Sequence, residues 1–241
     1  MVSTPEYEGA SKRVTSLVPD LSVSYKTRDY GSFSLGVKGR GLSWTFVEQE
    51  AYSFGIGLAG GAGRTDSKDG TAFKPGSKRL LGLGEIKQSF ELTAFGHVLL
   101  GVPLYLQVSK GASVGQPDAG NFSTKGPGGT HIELSSEIPY EVSNSLSLSL
   151  SPTISWADAK FTQSYFGVTA AQAARTGFAE FKTKGGIRSV GVALGATYKI
   201  DPNWSVNATA SISQLQGDAA RSPLTQKRGQ AVAGVGVSYK F

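Results

Sequence analysis

The chain of 241 residues has no cysteine, two histidines and a single methionine. It therefore lacks a disulfide framework, a thiolate metal site and a cysteine nucleophile. Charged residues make up 17% of the chain, well below the roughly 25% of ordinary soluble domains. The longest apolar runs, 80–83 and 98–102, are broken by glycine and are far shorter than the ~20 residues of a membrane-spanning helix. A helical membrane protein and a disulfide-stabilised scaffold are both excluded.

Apolar residues recur at every second position over long stretches. Near the carboxyl end, Val235, Val237, Tyr239 and Phe241 alternate with glycine, serine and lysine. Successive side chains of a strand point to opposite faces, so such a stretch has one apolar face and one small or polar face. A helix, with its period of about 3.6 residues, does not produce this pattern over five or six repeats.

The alternation predicts ten strands, separated by short and long connections in turn. The second predicted strand changes parity between Val37 and Leu42, which we interpret as a glycine-permitted bulge. The connection 27–30 breaks the rhythm of short and long connections. The predicted strands span 14–26, 31–46, 51–63, 84–95, 98–109, 130–141, 145–156, 187–200, 204–215 and 230–241.

This organisation is typical of an antiparallel up-and-down β-barrel of the Gram-negative outer membrane, with one domain over 1–241. Such barrels have short periplasmic turns, long outer loops and, with an even strand number, both termini in the periplasm. The alternative is a soluble barrel or sandwich. The membrane barrel is favoured because aromatics gather near the predicted strand ends (Phe95 and Trp204 among them), as in interfacial girdles. The first residues lack the basic region and apolar core of a signal peptide, so we expect a mature chain.

Charged and polar residues on the small-residue parity are expected to line the lumen. They either cross-link a narrow, filled barrel or border a small pore. Filling is favoured, because barrels near eight strands are packed with side chains while open channels need about sixteen strands. These candidates are Asp20, Lys38, Arg40, Glu85, Lys87, Glu91, His131, Glu133 and Glu137.

Other chemical motifs are weak. Gly55-Ile-Gly-Leu-Ala-Gly60 matches the dinucleotide fingerprint but lies inside a strand pattern that no helix follows. His131 and His97, the latter predicted in a short turn, are far apart in the sequence. Neither has the neighbours of a Ser–His–acid hydrolase or of a metal site. We expect no enzyme activity, no cofactor and no metal.

The long loop 157–186 contains one helix signal. Thr169 and Gln172 form a T-x-x-Q capping box, and Gly177 is positioned to end the helix. With Tyr165 and Phe166 this helix is either a lid over the barrel mouth or a simple shield for its rim. Basic residues are dispersed near outer strand ends, where lipopolysaccharide phosphates are plausible partners, and no nucleic-acid stripe is present. They are Lys12, Arg13, Lys78, Arg79, Arg175, Arg188, Arg221, Lys227 and Arg228.

Several segments resemble the MipA/OmpV family of outer-membrane proteins. They are 165–174 (YFGVTAAQAA), 215–224 (LQGDAARSPL), the terminal GVSYKF and the early PEYEG of 5–9. Members usually carry a further glycine-rich apolar stretch before this point, so the resemblance allows for up to twelve strands. It also implies a non-enzymatic scaffold that links a murein lytic transglycosylase and a peptidoglycan synthase to the outer membrane.

Three hypotheses follow for the function. The first is the scaffold, whose periplasmic partners would touch the turns at Glu48–Glu50, His97 and Asp201–Asn203. The second is a narrow channel or a barrel that binds a small solute such as an antibiotic. The third is an adhesin that acts through its long loops.

The carboxyl-terminal strand predicts how the barrel assembles. An edge strand with Val235, Val237, Tyr239 and Phe241 on one face is suited to β-augmentation by the barrel-assembly machinery. Deleting Phe241, or replacing it with Asp, should therefore impair assembly in cells. Heat-modifiable migration of protein from the outer-membrane fraction measures this, and a normal yield from the Phe241→Asp variant would contradict the prediction.

Overall fold

The computed structural model describes residues 1–19, 21–36, 41–61, 63–67, 69–71, 74–111 and 128–240. Asp20, Lys38, Arg40 and Phe241 lie outside these ranges. None of the helices within them is both long and apolar enough to span a membrane. The described elements are β1 (Val2–Pro5), β2 (Arg13–Ser16), β3 (Ser22–Lys26), β4 (Ser32–Gly36), β5 (Leu42–Glu48), β6 (Tyr52–Gly61), a 3-10 helix (Lys78–Leu80), β7 (Ser89–Leu100), β8 (Val102–Gly111), β9 (Gly129–Ser136), β10 (Ile138–Glu141), β11 (Leu146–Ala157), α1 (Ala159–Phe166), α2 (Ala170–Thr176), β12 (Gly186–Lys199), β13 (Trp204–Leu215), α3 (Gly217–Arg221) and β14 (Gly229–Tyr239).

The fourteen strands form one antiparallel sheet in which most neighbours in space are neighbours in sequence. The order is β2-β1-β14-β13-β12-β11-β9-β8-β7-β6-β5-β4-β3, and β10 pairs with β11. The all-β, antiparallel, up-and-down prediction is confirmed, but the count of about ten is too low. Three predicted strands, 14–26, 31–46 and 130–141, are each two strands, and β1 was not predicted.

The bulge predicted between Val37 and Leu42 is wrong, because the described residues on either side belong to two separate antiparallel strands. β4 and β5 pair with each other, with Ser32 opposite Thr45 and Leu35 opposite Leu42. Gly41 has a φ of +63°, a left-handed conformation that glycine adopts without steric cost. The extra hairpin brings the 27–31 connection to the same end of the sheet as the short turns, where Lys26 pairs with Glu48. Three consecutive connections, 27–31, 37–41 and 49–51, are nevertheless all short, so the predicted alternation of short and long connections does not hold in this part of the chain.

The predicted turn at 96–97 is also wrong, since β7 runs through it to Leu100. The reversal comes at Gly101, which has a φ of +78°. His97 is therefore a strand residue, and its ring stacks on Tyr105 with centroids 4.9 Å apart. Phe95 is 6% exposed and covers Gly55, where a Cβ atom would lie 2.3 Å from the Phe95 ring. Phe95 thus belongs to the buried face and not to an outer aromatic girdle.

The two edge strands of the sheet, β2 and β3, run in the same direction and are joined by residues 17–21 alone. Five residues with their flanking bonds span at most about 20 Å. The thirteen strands of the main order would form a flat sheet about 58 Å wide at the usual strand spacing. The sheet must therefore curl until its edges approach each other.

The two faces of the curled sheet differ sharply in exposure. Large apolar side chains lie on the outward face, as at Leu92 and Ile212, which are both 64% exposed. Small or polar side chains lie on the inward face, where Ser109 is 0% and Ser155 is 2% exposed. The buried face of this sheet is therefore mostly small and polar, the reverse of a water-soluble protein.

Candidate functional site

Four connecting segments gather over one end of the sheet. We call them the loop cap: residues 6–12, the described residues of 63–86, and segments 158–185 and 216–228. Most of the largest fully buried side chains belong to it. Its main apolar cluster consists of Tyr7, Ala10, Leu80, Leu83, Val168 and Leu224. The apolar core thus lies above the sheet and not within it.

Two short helices organise the cap. Asp158 caps α1, because one carboxylate oxygen accepts from Phe161 N at 2.7 Å while the other accepts from Thr130 N on β9 at 2.7 Å. The predicted capping box is present on α2, where Thr169 and Gln172 each accept from the other's backbone N–H. Gly177 ends α2 with a φ of +72°.

The helices are tied to the rest of the cap by side-chain hydrogen bonds to backbone carbonyls. Gln172 Nε2 donates to the carbonyl of Leu83 at 2.5 Å. Tyr7 Oη donates to the carbonyl of Leu224 at 3.0 Å. Ser222 Oγ donates to the carbonyl of the buried Phe166 at 2.6 Å. The cap is therefore a packed unit, and the predicted lid residues lie within it.

Beneath the cap lies a cavity of about 250 Å³. Its charged lining comes from a turn, a loop and two strands of the sheet: Glu8, Arg64, Glu91 and Arg188. The rest of the lining is mainly aromatic: Tyr7, Pro75, His131, Phe161 and Tyr165. Two cations, two carboxylates and an aromatic surface thus line one cavity.

Arg188 is committed to other protein groups. Its Nη1 lies 2.6 Å from Glu8 Oε2, and its Nε and Nη2 donate to Ser155 Oγ at 3.2 and 2.7 Å. Strand alternation would place Arg188 on the outward face beside Val190, near lipopolysaccharide. A register shift between Ser155 and Trp156 turns it inward, as β-bulges do. Arg188 therefore contacts Glu8 and Ser155 and is not placed to meet lipopolysaccharide.

Arg64 is buried without a carboxylate partner. It is 4% exposed, and its Nη1 donates to the backbone carbonyl of Tyr165 at 2.5 Å. Its Nε has no hydrogen-bond partner, and no acidic residue in the described ranges forms an ion pair with it. Burial lowers the pKa of Arg64 to about 10, and burial raises the pKa of the Tyr165 phenol. Arg64 thus keeps a desolvated positive charge facing the cavity.

Glu91 and His131 form the opposite wall. Glu91 is 7% exposed, and its Oε2 lies 3.9 Å from His131 Nε2, too far for a hydrogen bond. His131 Nδ1 is buried and has no hydrogen-bond partner. The His131 ring packs on Phe161 at 4.8 Å, and Phe161 packs on Tyr165 at the same distance. Both walls therefore present unsatisfied polar groups.

The other predicted lumen residues lie elsewhere. Glu85 and Lys87 precede β7 and are not strand residues, and Glu85 pairs with Lys74 in the cap. Their prediction as inward strand residues is wrong. Glu133 and Glu137 line a second cavity of about 260 Å³, bordered also by Tyr105. In the described part of the chain, no group of three or more acidic or histidine side chains is arranged to hold a metal ion.

Sequence reasoning missed three of the four charged residues of the cavity. Arg64 lies in a loop without periodicity, and Glu8 lies in a turn whose position depends on contacts remote in sequence. Arg188 is hidden by the bulge. The early PEYEG segment, which contains Glu8, was the only available signal.

Comparisons with known proteins give one match over the whole length. The family described as MltA-interacting protein MipA matches residues 1–241, while no curated protein matches the chain. Among solved structures, the NanC porin is 10% identical, with a TM-score of 0.47 over 92% of each chain. An outer membrane channel from Pseudomonas putida F1 is 13% identical, with a TM-score of 0.43 over 91% of this chain and 73% of that one. OmpT of Vibrio cholerae is 10% identical, with a TM-score of 0.41 over 92% of this chain and 64% of that one.

The packing of the cap predicts that adjacent leucines respond differently to truncation. Leu80 is 0% exposed and Leu81 is 66% exposed. Leu80→Ala should destabilise the cap by about 2–5 kcal/mol, since it removes a fully buried side chain, and Leu81→Ala should have almost no effect. Limited proteolysis and hydrogen exchange of segment 158–185 in the folded protein measure the difference. Equal protection in both variants would show that the cap does not depend on this core.

Proposed function

Since this chain belongs to the MipA family over its whole length, we propose that it is a closed β-barrel of the outer membrane that docks a murein-cleaving enzyme on its short turns. The membrane assignment is carried by one observation, the exposed apolar face of the sheet. The docking role is supported by the family description, MltA-interacting protein, and by the shape of the turns.

The apolar face is too extensive for a water-soluble monomer. Outward side chains on adjacent strands remain exposed, such as Leu150 at 41%, Leu194 at 58% and Ile212 at 64%. Soluble monomers seldom expose a contiguous apolar patch larger than about 300–600 Å². In lipid the same side chains are at no disadvantage, and the face becomes the contact surface with acyl chains.

Closure of the sheet follows from the demands of that environment. Lipid provides no hydrogen-bond partners, so an open sheet edge is not tolerated in the hydrocarbon region. β2 and β3 run in the same direction and are consecutive in the chain. β2 pairs with β1, and β3 pairs with β4. We propose that β2 and β3, placed end to end, occupy a single strand position in the wall of the barrel.

The lengths of the connections orient the barrel. Outer-membrane barrels keep short turns in the periplasm and long loops outside, so the loop cap faces the exterior and its basic rim faces lipopolysaccharide. The carboxyl end of β14 then lies on the periplasmic side. Met1 donates to the carbonyl of Val235, part-way along β14, so β1 begins within the depth of the wall.

The short turns are rigid enough to form a docking surface. In the 200–203 turn, Asp201 Oδ1 accepts from the backbone N–H groups of Asn203 and Trp204, both at 2.8 Å. In the 27–31 turn, Tyr30 donates its backbone N–H to Thr27 Oγ1 at 2.9 Å. Tyr30 is 70% exposed, and an exposed tyrosine on a fixed turn is a typical interface anchor. His97, which the sequence placed on this surface, faces inward and is not part of it.

The channel and adhesin hypotheses have less support. A conducting path would need space that cap residues and inward side chains occupy. Phe95 and Thr93 are examples of such inward side chains, and Thr93 is 4% exposed. The loop cap is internally packed, which favours a cover for the barrel over a flexible adhesive surface. We propose no enzymatic activity.

The membrane assignment predicts opposite outcomes for two exposed leucines. Leu194→Arg, near the middle of β12, should destabilise the folded barrel by about 2–4 kcal/mol because it places a charge against lipid. Leu81→Arg, in the cap, should have little effect. Urea unfolding of each variant in phospholipid vesicles measures the free energy. If Leu194→Arg were as stable as the unsubstituted protein, the outward face would be in contact with water.

The docking role predicts a dependence on Tyr30. The purified protein should retain a murein lytic transglycosylase from a periplasmic extract, and Tyr30→Ala should weaken this binding about tenfold or more, as expected for loss of an interface anchor. Leu81→Ala, on the opposite end, is the matched control. Biolayer interferometry with the isolated enzyme measures the affinity. Failure to bind at micromolar concentrations, or equal binding by Tyr30→Ala and the control, would overturn the proposed docking surface.

A further inference from the structure

We propose that the cavity beneath the loop cap binds a small zwitterion, an amino acid or a short peptide, with its carboxylate on Arg64 and its ammonium on Glu91. This inference does not depend on the docking role. It goes beyond that role by assigning a ligand to a site that neither the family description nor the membrane assignment explains.

The carboxylate position is defined by Arg64. A buried charge without a counter-ion costs several kcal/mol, and a guanidinium is suited to bidentate pairing with a carboxylate. Arg64 Nη1 donates a hydrogen bond to the Tyr165 carbonyl, while Arg64 Nε is buried and has no hydrogen-bond partner. Arg188, the other cation of the cavity, is neutralised by Glu8. Arg64 is therefore the group that an incoming anion would satisfy.

The ammonium position is defined by Glu91. Glu91 is 7% exposed, and none of the described lysine or arginine side chains lies within ion-pair distance of its carboxylate. His131 Nε2 lies 3.9 Å away but carries a charge only when it is protonated, and Arg188 acts on the carboxylate from a longer distance. Although Glu91 and Arg64 line one cavity, they form no ion pair with each other. A ligand that carries both charges satisfies the two walls at once, whereas a simple anion leaves Glu91 unpaired.

The remaining wall limits the size and character of the ligand. The rings of His131, Phe161 and Tyr165 form a continuous aromatic surface in which successive rings are tilted, with centroids 4.8 Å apart. Such a surface accommodates a methyl or other small apolar side chain and provides ring faces for an ammonium group. The volume of about 250 Å³ is slightly below the usual range of about 300–1,000 Å³ for ligand pockets. An amino acid or a dipeptide is of the right size.

The first test removes the ligand charges one at a time. Dialanine, N-acetyl-dialanine and dialanine amide are titrated into the folded protein in detergent micelles by isothermal titration calorimetry. Dialanine should bind, and each analogue should bind at least tenfold more weakly. If all three bound equally, or if dialanine did not bind, the proposal would be overturned. Inorganic phosphate is a fourth probe, and binding as tight as that of dialanine would show a plain anion site and refute the zwitterion.

The second test assigns the two charges to their residues. In the Glu91→Gln variant, N-acetyl-dialanine should bind as tightly as dialanine, while dialanine amide should still bind more weakly. In the Arg64→Gln variant, dialanine amide should bind as tightly as dialanine, while N-acetyl-dialanine should still bind more weakly. Because Arg64 also holds the Tyr165 carbonyl, Arg64→Lys serves as a second variant that keeps the charge and should retain discrimination against the amide. Heat-modifiable migration confirms that each barrel is folded. If folded Glu91→Gln still bound N-acetyl-dialanine at least tenfold more weakly than dialanine, Glu91 would not be the residue that binds the ammonium group.

Discussion

The structure depends on the division of side chains between the two faces of one curled sheet. Most large apolar residues of the strands lie outward, as at Leu194 and Val237, and most small residues lie inward, as at Ser155. Small inward residues leave room on the inner face of the sheet, where Phe95 covers Gly55. Because the outward face gains stability only in contact with lipid or another apolar partner, the same division that shapes the sheet also determines its location. The five residues between β2 and β3 then keep the adjoining ends of the two edge strands within about 20 Å of each other.

A sheet that turns its apolar side chains outward has no conventional core, and the loop cap supplies one. Leu80, Leu83 and Val168 are removed from both water and lipid above the end of the sheet. The cavity lies where the cap meets the sheet, since Arg64 and Tyr165 come from cap segments while Glu91 and His131 come from strands. Buried charges at such a junction are costly to retain unless a partner compensates them. Among the described residues, Arg64 and Glu91 form no ion pair with a lysine, arginine, aspartate or glutamate, and the proposed ligand rests on this observation.

Strand parity predicted the sheet well wherever alternation was unbroken, and β13 begins and ends at the predicted residues 204 and 215. It failed between β4 and β5, because a parity change in the sequence does not distinguish a bulge from a connection between two antiparallel strands. It failed at Arg188 because a bulge reverses the direction of one side chain without a mark in the sequence. Arg64 and Glu8 were unpredictable, since their positions depend on loop packing between segments far apart in the chain. The α2 capping box was predictable because its signal is local.

Contact between the outward face and lipid can be measured with the three tryptophans of the chain. Trp44, Trp156 and Trp204 all lie on that face, with 37%, 38% and 45% of their surface exposed. The protein is folded into vesicles whose acyl chains carry bromine, and tryptophan fluorescence is compared with that in unbrominated vesicles. The account predicts strong quenching by the brominated chains and weak quenching by acrylamide in the water. Strong acrylamide quenching without quenching by bromine would contradict the account, because the apolar face would then be in contact with water.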